Sequence, residues 1–165
     1  SVPIDRLAIT FPVAAEDYFG NSKLSAFLSW FLINLLLIPR KREEKNPKRD
    51  PIFIMDSYLK NGKSLIFFPE GSRGKAGKIQ GFKKGLGYLM KENMNIPIIP
   101  VYLEGIGRVL PKGNKIMLPG ITKIYFGNPI FLENETVEEI VEKAENAVHD
   151  LKNRCDNNNS SNLRE

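Results

Sequence analysis

The chain has 165 residues, a net charge of +5 and a hydrophobic share of 42%, which suits one globular domain with a real core. Its single cysteine, Cys155, excludes an internal disulfide framework and a cysteine-built metal cage. The basic excess is clustered: Arg40, Lys41, Arg42, Lys45, Lys48 and Arg49 stand against Glu43 and Glu44, and Lys63, Arg73, Lys75, Lys78, Lys83 and Lys84 form a second group. Such patches attract anionic lipid, phosphorylated substrates or nucleic acid.

In chain order, residues 5–10 read as a short helix, and Val13, Ala14 and Ala15 as the start of a strand. Residues 16–21 turn the chain, and Ser22 suits a helix cap. Residues 24–38 are the most apolar stretch, shorter than the roughly 20 residues a membrane-spanning helix needs. They predict a helix to residue 34 and a buried strand over 35–39. The helix packs in the core or rests in a lipid interface, with Trp30 and Phe31 among its apolar contacts. Pro47 and Asp50-Pro51 give the first basic patch a loop character. Residues 52–59 predict a helix with Ile52, Met55 and Leu59 on one face. Gly62-Lys63-Ser64 fails as a nucleotide-phosphate loop: that motif needs a glycine where Ser57 stands and opens a helix, whereas here a strand follows.

That strand, Ser64-Leu65-Ile66, runs into the turn Phe67-Phe68-Pro69-Glu70-Gly71-Ser72-Arg73-Gly74. The turn carries one carboxylate and one guanidinium. Open α/β folds bind ligands at the carboxyl ends of strands, and the planar fork of an arginine there suits phosphate.

Residues 85–92 predict a helix with Leu86, Leu89 and Met90 in the core. Residues 96–103 predict a strand in which Pro100, unable to donate to a ladder, marks an edge or bulge. Gly105-Ile106-Gly107 lacks the third glycine of a dinucleotide fingerprint, at Leu110. Residues 115–118 and 121–126 predict strands, with Gly127-Asn128-Pro129 as a turn. Thr136-Val137-Glu138-Glu139 is a capping box. It opens a helix with apolar Val137, Ile140, Val141, Ala144, Val148 and Leu151. On that helix His149 and Asp150 are sequence neighbours and do not face each other, so an exposed His149 is expected. Residues 156–162 are Asn/Ser-rich and predict disorder, with Cys155 as a surface thiol. The organisation expected is one domain over 1–152 and a polar tail over 153–165. Alternating strands and helices predict a layered α/β domain.

Phe68-Pro69-Glu70-Gly71-Ser72-Arg73 resembles the third motif of the glycerolipid acyltransferase family, which includes lysophosphatidic acid acyltransferases. Ile96-Pro97-Ile98-Ile99-Pro100-Val101 resembles its fourth motif. Gly81-Phe82-Lys83-Lys84-Gly85 resembles the element that opens the next helix, and Leu37-Ile38-Pro39-Arg40 its second motif. The order matches, and the resemblance covers about residues 1–130. It implies an α/β fold with a mixed β-sheet flanked by helices. It implies an O-acyltransferase that moves a fatty acyl group from acyl-CoA or acyl carrier protein to the hydroxyl of a lysophospholipid or glycerol-phosphate acceptor. The implied setting is the cytoplasmic face of a membrane, with no cofactor and no metal.

The resemblance also assigns residues. Arg40, Glu70, Gly71, Ser72 and Arg73 would bind the acceptor, with Arg73 and Arg40 on its phosphate. Pro100 would shape the pocket. Lys83 and Lys84 would serve the phosphates of coenzyme A or a membrane surface. The family's first motif is His-x-x-x-x-Asp, and Ser1-Val2-Pro3-Ile4-Asp5 can be laid on its second half. Asp5 would then orient a histidine expected immediately before Ser1. The sequence as written lacks that general base, and on this reading it is an inactive fragment that starts one residue late. The alternative is a non-catalytic module that binds anionic lipid or an acyl carrier. Nucleic acid is set aside, because the aromatic residues are not interleaved with the basic patches as stacking platforms.

Overall fold

The computed structural model describes residues 4–19, 34–40, 46–72, 77–109 and 119–161. The chain divides into two compact units, Ser1–Phe68 and Pro69–Glu165. The predicted helix over 24–34 and the predicted strand over 115–118 lie mostly or wholly outside the described residues.

In the first unit, helix α1 (Ile4–Leu7) leads into strand β1 (Thr10–Ala15), and a 3-10 turn (Glu16–Phe19) follows. Strand β2 is Leu36–Ile38, helix α2 is Pro51–Lys60 and strand β3 is Ser64–Ile66. The strands run parallel in the order β2-β1-β3. Strand β1 carries a proline although it is the central strand, and the register explains how. Thr10, Phe11 and Pro12 pair with β3, whereas Val13, Ala14 and Ala15 pair with β2. Pro12 therefore stands where β1 changes partner, the position at which a missing N–H costs the ladder least.

Helix α2, expected over 52–59, opens one residue earlier, at Pro51. Asp50 takes an extended conformation, and its Oδ1 accepts from the Ile52 N–H at 2.9 Å. Pro51 fills the first helical position, where its fixed φ is an advantage. Such a cap contributes about 1 kcal/mol. The helix buries Met55 and Leu59 and sets Tyr58 edge-on to Phe11 of β1, with ring centroids 5.0 Å apart. Gly62, at φ +69°, turns the chain into β3.

In the second unit, helix α3 (Gly85–Lys91) precedes strand β4 (Val101–Glu104) and the short helix α4 (Ile106–Val109). Strand β5 (Lys123–Phe126) pairs antiparallel with β4, and helix α5 spans Val137–Ser161. The strand expected over 96–103 is broken. Val101 pairs with Phe126, the Gly127 N–H donates to the Pro100 carbonyl at 2.9 Å, and Ile98 bridges Ile130. Gly127-Asn128-Pro129 is therefore not a reversing turn. It carries the second strand past Pro100 with one residue more than the first, as a bulge does. The edge or bulge expected at Pro100 is present.

The capping box at α5 forms in both directions: the Thr136 N–H donates to Glu139 Oε2 at 2.7 Å, and the Glu139 N–H to Thr136 Oγ1 at 3.3 Å. Leu86, Leu89 and Met90 of α3 are buried, as are Ile140, Ala144 and Leu151 of α5. Helix α5 does not stop where the polar tail is expected. Cys155 falls four residues after Leu151 on the same face and is 1% exposed, so the apolar stripe continues and the helix runs on to Ser161. The thiol is a buried core group, not a surface one. Parallel pairing in one unit and antiparallel pairing in the other make the α/β fold with mixed strands that the motifs imply. No helix among the described residues is long and apolar enough to cross a membrane.

Candidate active site

In the first unit, the carboxyl ends of β1 and β2 carry opposite charges. Arg40, just past β2, donates from Nε to Asp17 Oδ2 at 2.7 Å and from Nη2 to Asp17 Oδ1 at 3.2 Å. This fork-to-carboxylate geometry is bidentate. It holds the guanidinium still more firmly charged, first through the hydrogen bond to Asp17 and then through its charge. Arg49 donates to Glu16 Oε2 at 3.0 Å. Two arginines from either end of the first basic patch thus answer the acid pair that closes β1.

Asp5 belongs to α1, at the other end of the same sheet. The Asn34 amide, just before β2, donates to the Leu7 carbonyl at 3.1 Å, and the Ser64 N–H donates to the Ile9 carbonyl at 2.8 Å. Both bonds tie the segment after α1 to the amino ends of β2 and β3. The six residues of β1 span about 20 Å. The backbone therefore does not bring Asp5 and Arg40 together.

In the second unit, the Pro-Glu-Gly turn is held at several points. The Lys83 N–H donates to the Pro69 carbonyl at 2.9 Å. The Gln80 N–H donates to Glu70 Oε2 at 3.0 Å, so the half-buried carboxylate braces its own loop. The Phe82 N–H donates to Glu145 Oε2 of α5 at 3.0 Å, and Lys84 Nζ lies 2.6 Å from Glu138 Oε1. Gly71 adopts φ +68°, a conformation that glycine takes without strain. A Cβ on Gly71 would stand 3.0 Å from Lys83 Cδ and 3.1 Å from its Nζ. Ser72 is exposed. Arg73 lies outside the described residues, together with Gly74, Lys75 and Ala76. Pro100 is buried and fixes the β4 bulge.

The meeting of Gly71 with Lys83 joins two motifs that the sequence presents as separate signals. Nothing in their spacing announces the contact. A depression of about 370 Å³ is lined by Phe82, Lys84, Glu138, Val141, Glu142, Glu145 and Asn146. Three carboxylates give it the wrong sign for a phosphate. His149 sits beside it on α5, half exposed, with Nε2 3.9 Å from Glu145 Oε1.

A second polar cluster lies on β4 and β5. Tyr125 donates its hydroxyl to Glu104 Oε2 at 3.0 Å, and the Cys155 thiol donates to the same oxygen at 3.2 Å. Burial is the first cause that pushes the Cys155 thiol up, so it stays protonated and is no nucleophile. This cluster fastens the late turns of α5 to the strands.

The chain is similar to the chloroplastic 1-acyl-sn-glycerol-3-phosphate acyltransferase of Brassica napus, with 29% identity over 121 residues, covering 70% of this chain and 35% of that protein. It is 30% identical over 104 residues to the chloroplastic enzyme of the same name from Arabidopsis thaliana, covering 62% and 29%. A Pseudomonas aeruginosa protein of that name is 30% identical over 87 residues, covering 53% and 33%. The chain thus spans about a third of the length of these curated relatives. The crystal structure of the 1-acyl-sn-glycerophosphate acyltransferase PlsC from Thermotoga maritima has the same fold. Its TM-score is 0.60 at 22% identity, and the match covers 88% of this chain and 56% of that one. The Acyltransferase family model matches residues 11–104, a span that holds Arg40, the braced turn, Lys83 and Pro100 and leaves Asp5 outside. With over half of its length inside that match, the chain belongs to the acyltransferase family.

Proposed function

We propose that this chain supplies the acceptor-binding part of a 1-acylglycerol-3-phosphate acyltransferase, which transfers a fatty acyl group from acyl-CoA or acyl carrier protein to the free hydroxyl of a lysophosphatidate. The relatives carry that activity in their names. The observation that carries the reading is the braced turn: Pro69 and Glu70 are tied down, and the Lys83 side chain packs along Gly71. A fixed, side-chain-free backbone next to a cation suits an anionic headgroup.

The chemistry divides the work. The acceptor hydroxyl attacks the thioester carbonyl, its proton passes to a base, and the thiol of the donor departs. Glu70 is ill-suited as that base, because one of its oxygens already accepts the Gln80 N–H. Its part is to hold the turn. Arg73 and Ser72 follow it directly and belong to the same acceptor site in this reading, and Pro100 shapes it from the β4 bulge. Because the acceptor and the product are lipids, the reaction takes place at a membrane surface.

The test is acyl transfer by the full gene product. Acyl-CoA or acyl carrier protein plus lysophosphatidate is expected to yield phosphatidate, and monoacylglycerol is expected to be a far poorer acceptor. Replacing Arg73 by Ala should raise KM for lysophosphatidate. Equal use of both acceptors would remove the phosphate from the reading. Tight lysophosphatidate binding with no product would instead favour a binding module without catalysis.

A further inference from the structure

The sequence presents Lys83 and Lys84 as an undivided pair, and the structure separates them. Lys84 Nζ is taken up by Glu138 Oε1 at 2.6 Å. Lys83 turns to the Pro-Glu-Gly turn. Its Cδ, Cε and Nζ lie 3.0, 3.1 and 3.1 Å from the point where a Gly71 Cβ would stand. Its backbone N–H is fixed to the Pro69 carbonyl at 2.9 Å, so the side chain is rooted in the turn it covers. Its ammonium has no ion pair among the described residues. Glu70, the carboxylate of the same turn, accepts from Gln80 instead.

A lysine packed along a glycine with its ammonium unmatched is a point charge held ready for an anion. The alternative landing place, the depression that Lys84 lines, also carries Glu138, Glu142 and Glu145, and three carboxylates against one ammonium repel an anion. We propose that Lys83 is a phosphate-binding residue: its Nζ donates to a phosphate monoester bound beside Gly71 at the Pro-Glu-Gly turn, and that monoester is the headgroup of the acceptor. This rests on the lysophosphatidate reading and adds a residue to it. A phosphate monoester also occurs on coenzyme A, at the ribose, so the experiment separates the two sources.

Equilibrium dialysis of the full gene product would use a short-chain lysophosphatidate, the matching monoacylglycerol, coenzyme A and dephospho-coenzyme A. The wild type is expected to prefer lysophosphatidate over monoacylglycerol. Lys83→Gln should weaken lysophosphatidate binding by about tenfold, the loss of one charge-assisted hydrogen bond, and leave monoacylglycerol and both coenzyme forms unchanged. Lys84→Gln should stay within about twofold, as an exposed ion pair suggests, and Lys83→Arg should restore part of the loss. A wild type that does not prefer lysophosphatidate overturns the functional reading itself. A wild type that does, with Lys83→Gln equal to it, overturns the assignment of Lys83 alone. Loss confined to coenzyme A over its dephospho form gives the lysine to the donor and also overturns the proposal. Thermal melts of the variants that match the wild type exclude misfolding as the cause.

Discussion

Gln80 donates its backbone N–H to Glu70 Oε2 at 3.0 Å across ten residues of chain, which turns the one carboxylate of the candidate site onto its own loop. Glu70 then matters through the shape it imposes. Glu70→Ala removes the acceptor and frees the loop, whereas Glu70→Gln keeps an oxygen in place. Lysophosphatidate binding should fall by about tenfold in the alanine variant and much less in the glutamine variant, since one hydrogen bond to a charged group is worth roughly 1.5–3 kcal/mol. Equilibrium dialysis reads both. Equal losses in the two variants would mean that the negative charge itself is what the site needs.

Arg40 is expected to matter less for the acceptor than its place in the second motif implies. Both of its contacts go to the Asp17 carboxylate, and a phosphate would have to displace that partner. Arg40→Ala should leave lysophosphatidate affinity within about twofold, because the exposed pair it breaks has little to contribute. A drop as large as that of Lys83→Gln would show that Arg40 releases Asp17 on binding.

The features legible in the sequence are those whose cause is local. The capping box at Thr136, the buried face of α2 and the core positions of α3 follow from spacing within one turn or two, and they stand where expected. The strands 36–38 and 64–66 lie within their apolar runs. What escaped depends on distant partners. Asp50-Pro51 has the composition of a loop, yet it caps and opens, one residue early, the helix expected over 52–59, which packs on β1. Gly127-Asn128-Pro129 has the residues of a turn, yet Ile98 holds Ile130 and keeps the strand going. The polar composition after residue 155 predicts disorder, yet one buried cysteine, bonded to Glu104, keeps α5 in place. In the candidate site, the motif order gives Glu70, Gly71 and Lys83 but not their contact. Parallel pairing sets Asp5 and Arg40 at opposite ends of a sheet, which their motif labels alone do not reveal.

Helix α3 meets α5 backbone to backbone at Gly87. A Cβ there would stand 2.4 Å from the Val137 carbonyl oxygen and 2.8 Å from Val137 Cγ1. The first obstacle is backbone at the capped start of α5, which cannot turn aside as a flexible side chain does. Overpacking of this kind costs about 1–3 kcal/mol, and a 2.4 Å approach to backbone puts it at the upper end, above the roughly 1 kcal/mol that alanine returns in helix propensity. Gly87→Ala should lower the urea midpoint accordingly. Gly85→Ala, in the same helix with open space around it, should not. If both variants melt like the wild type, α3 and α5 are not packed this closely.

Acid should loosen the start of α5 through Glu135. Its Oε1 accepts from Lys143 Nζ at 2.6 Å and its Oε2 from the Glu133 N–H at 2.6 Å. The hydrogen bond from Lys143, then the backbone bonds, pull its carboxyl from 4.5 down to about 2. A depressed carboxyl binds its proton more readily in the unfolded chain, so its contribution is fully present above pH 4.5 and is lost as pH falls towards 2. Replacing Glu135 by Gln removes the titration while keeping an oxygen near Lys143. In urea melts at a series of pH values, the wild type should lose stability over that window more steeply than Glu135→Gln, and the two should run parallel above it. Identical slopes below pH 4.5 would mean that the Lys143 contact does not hold Glu135 in solution, and with it would go the tether that joins α5 to the segment before it.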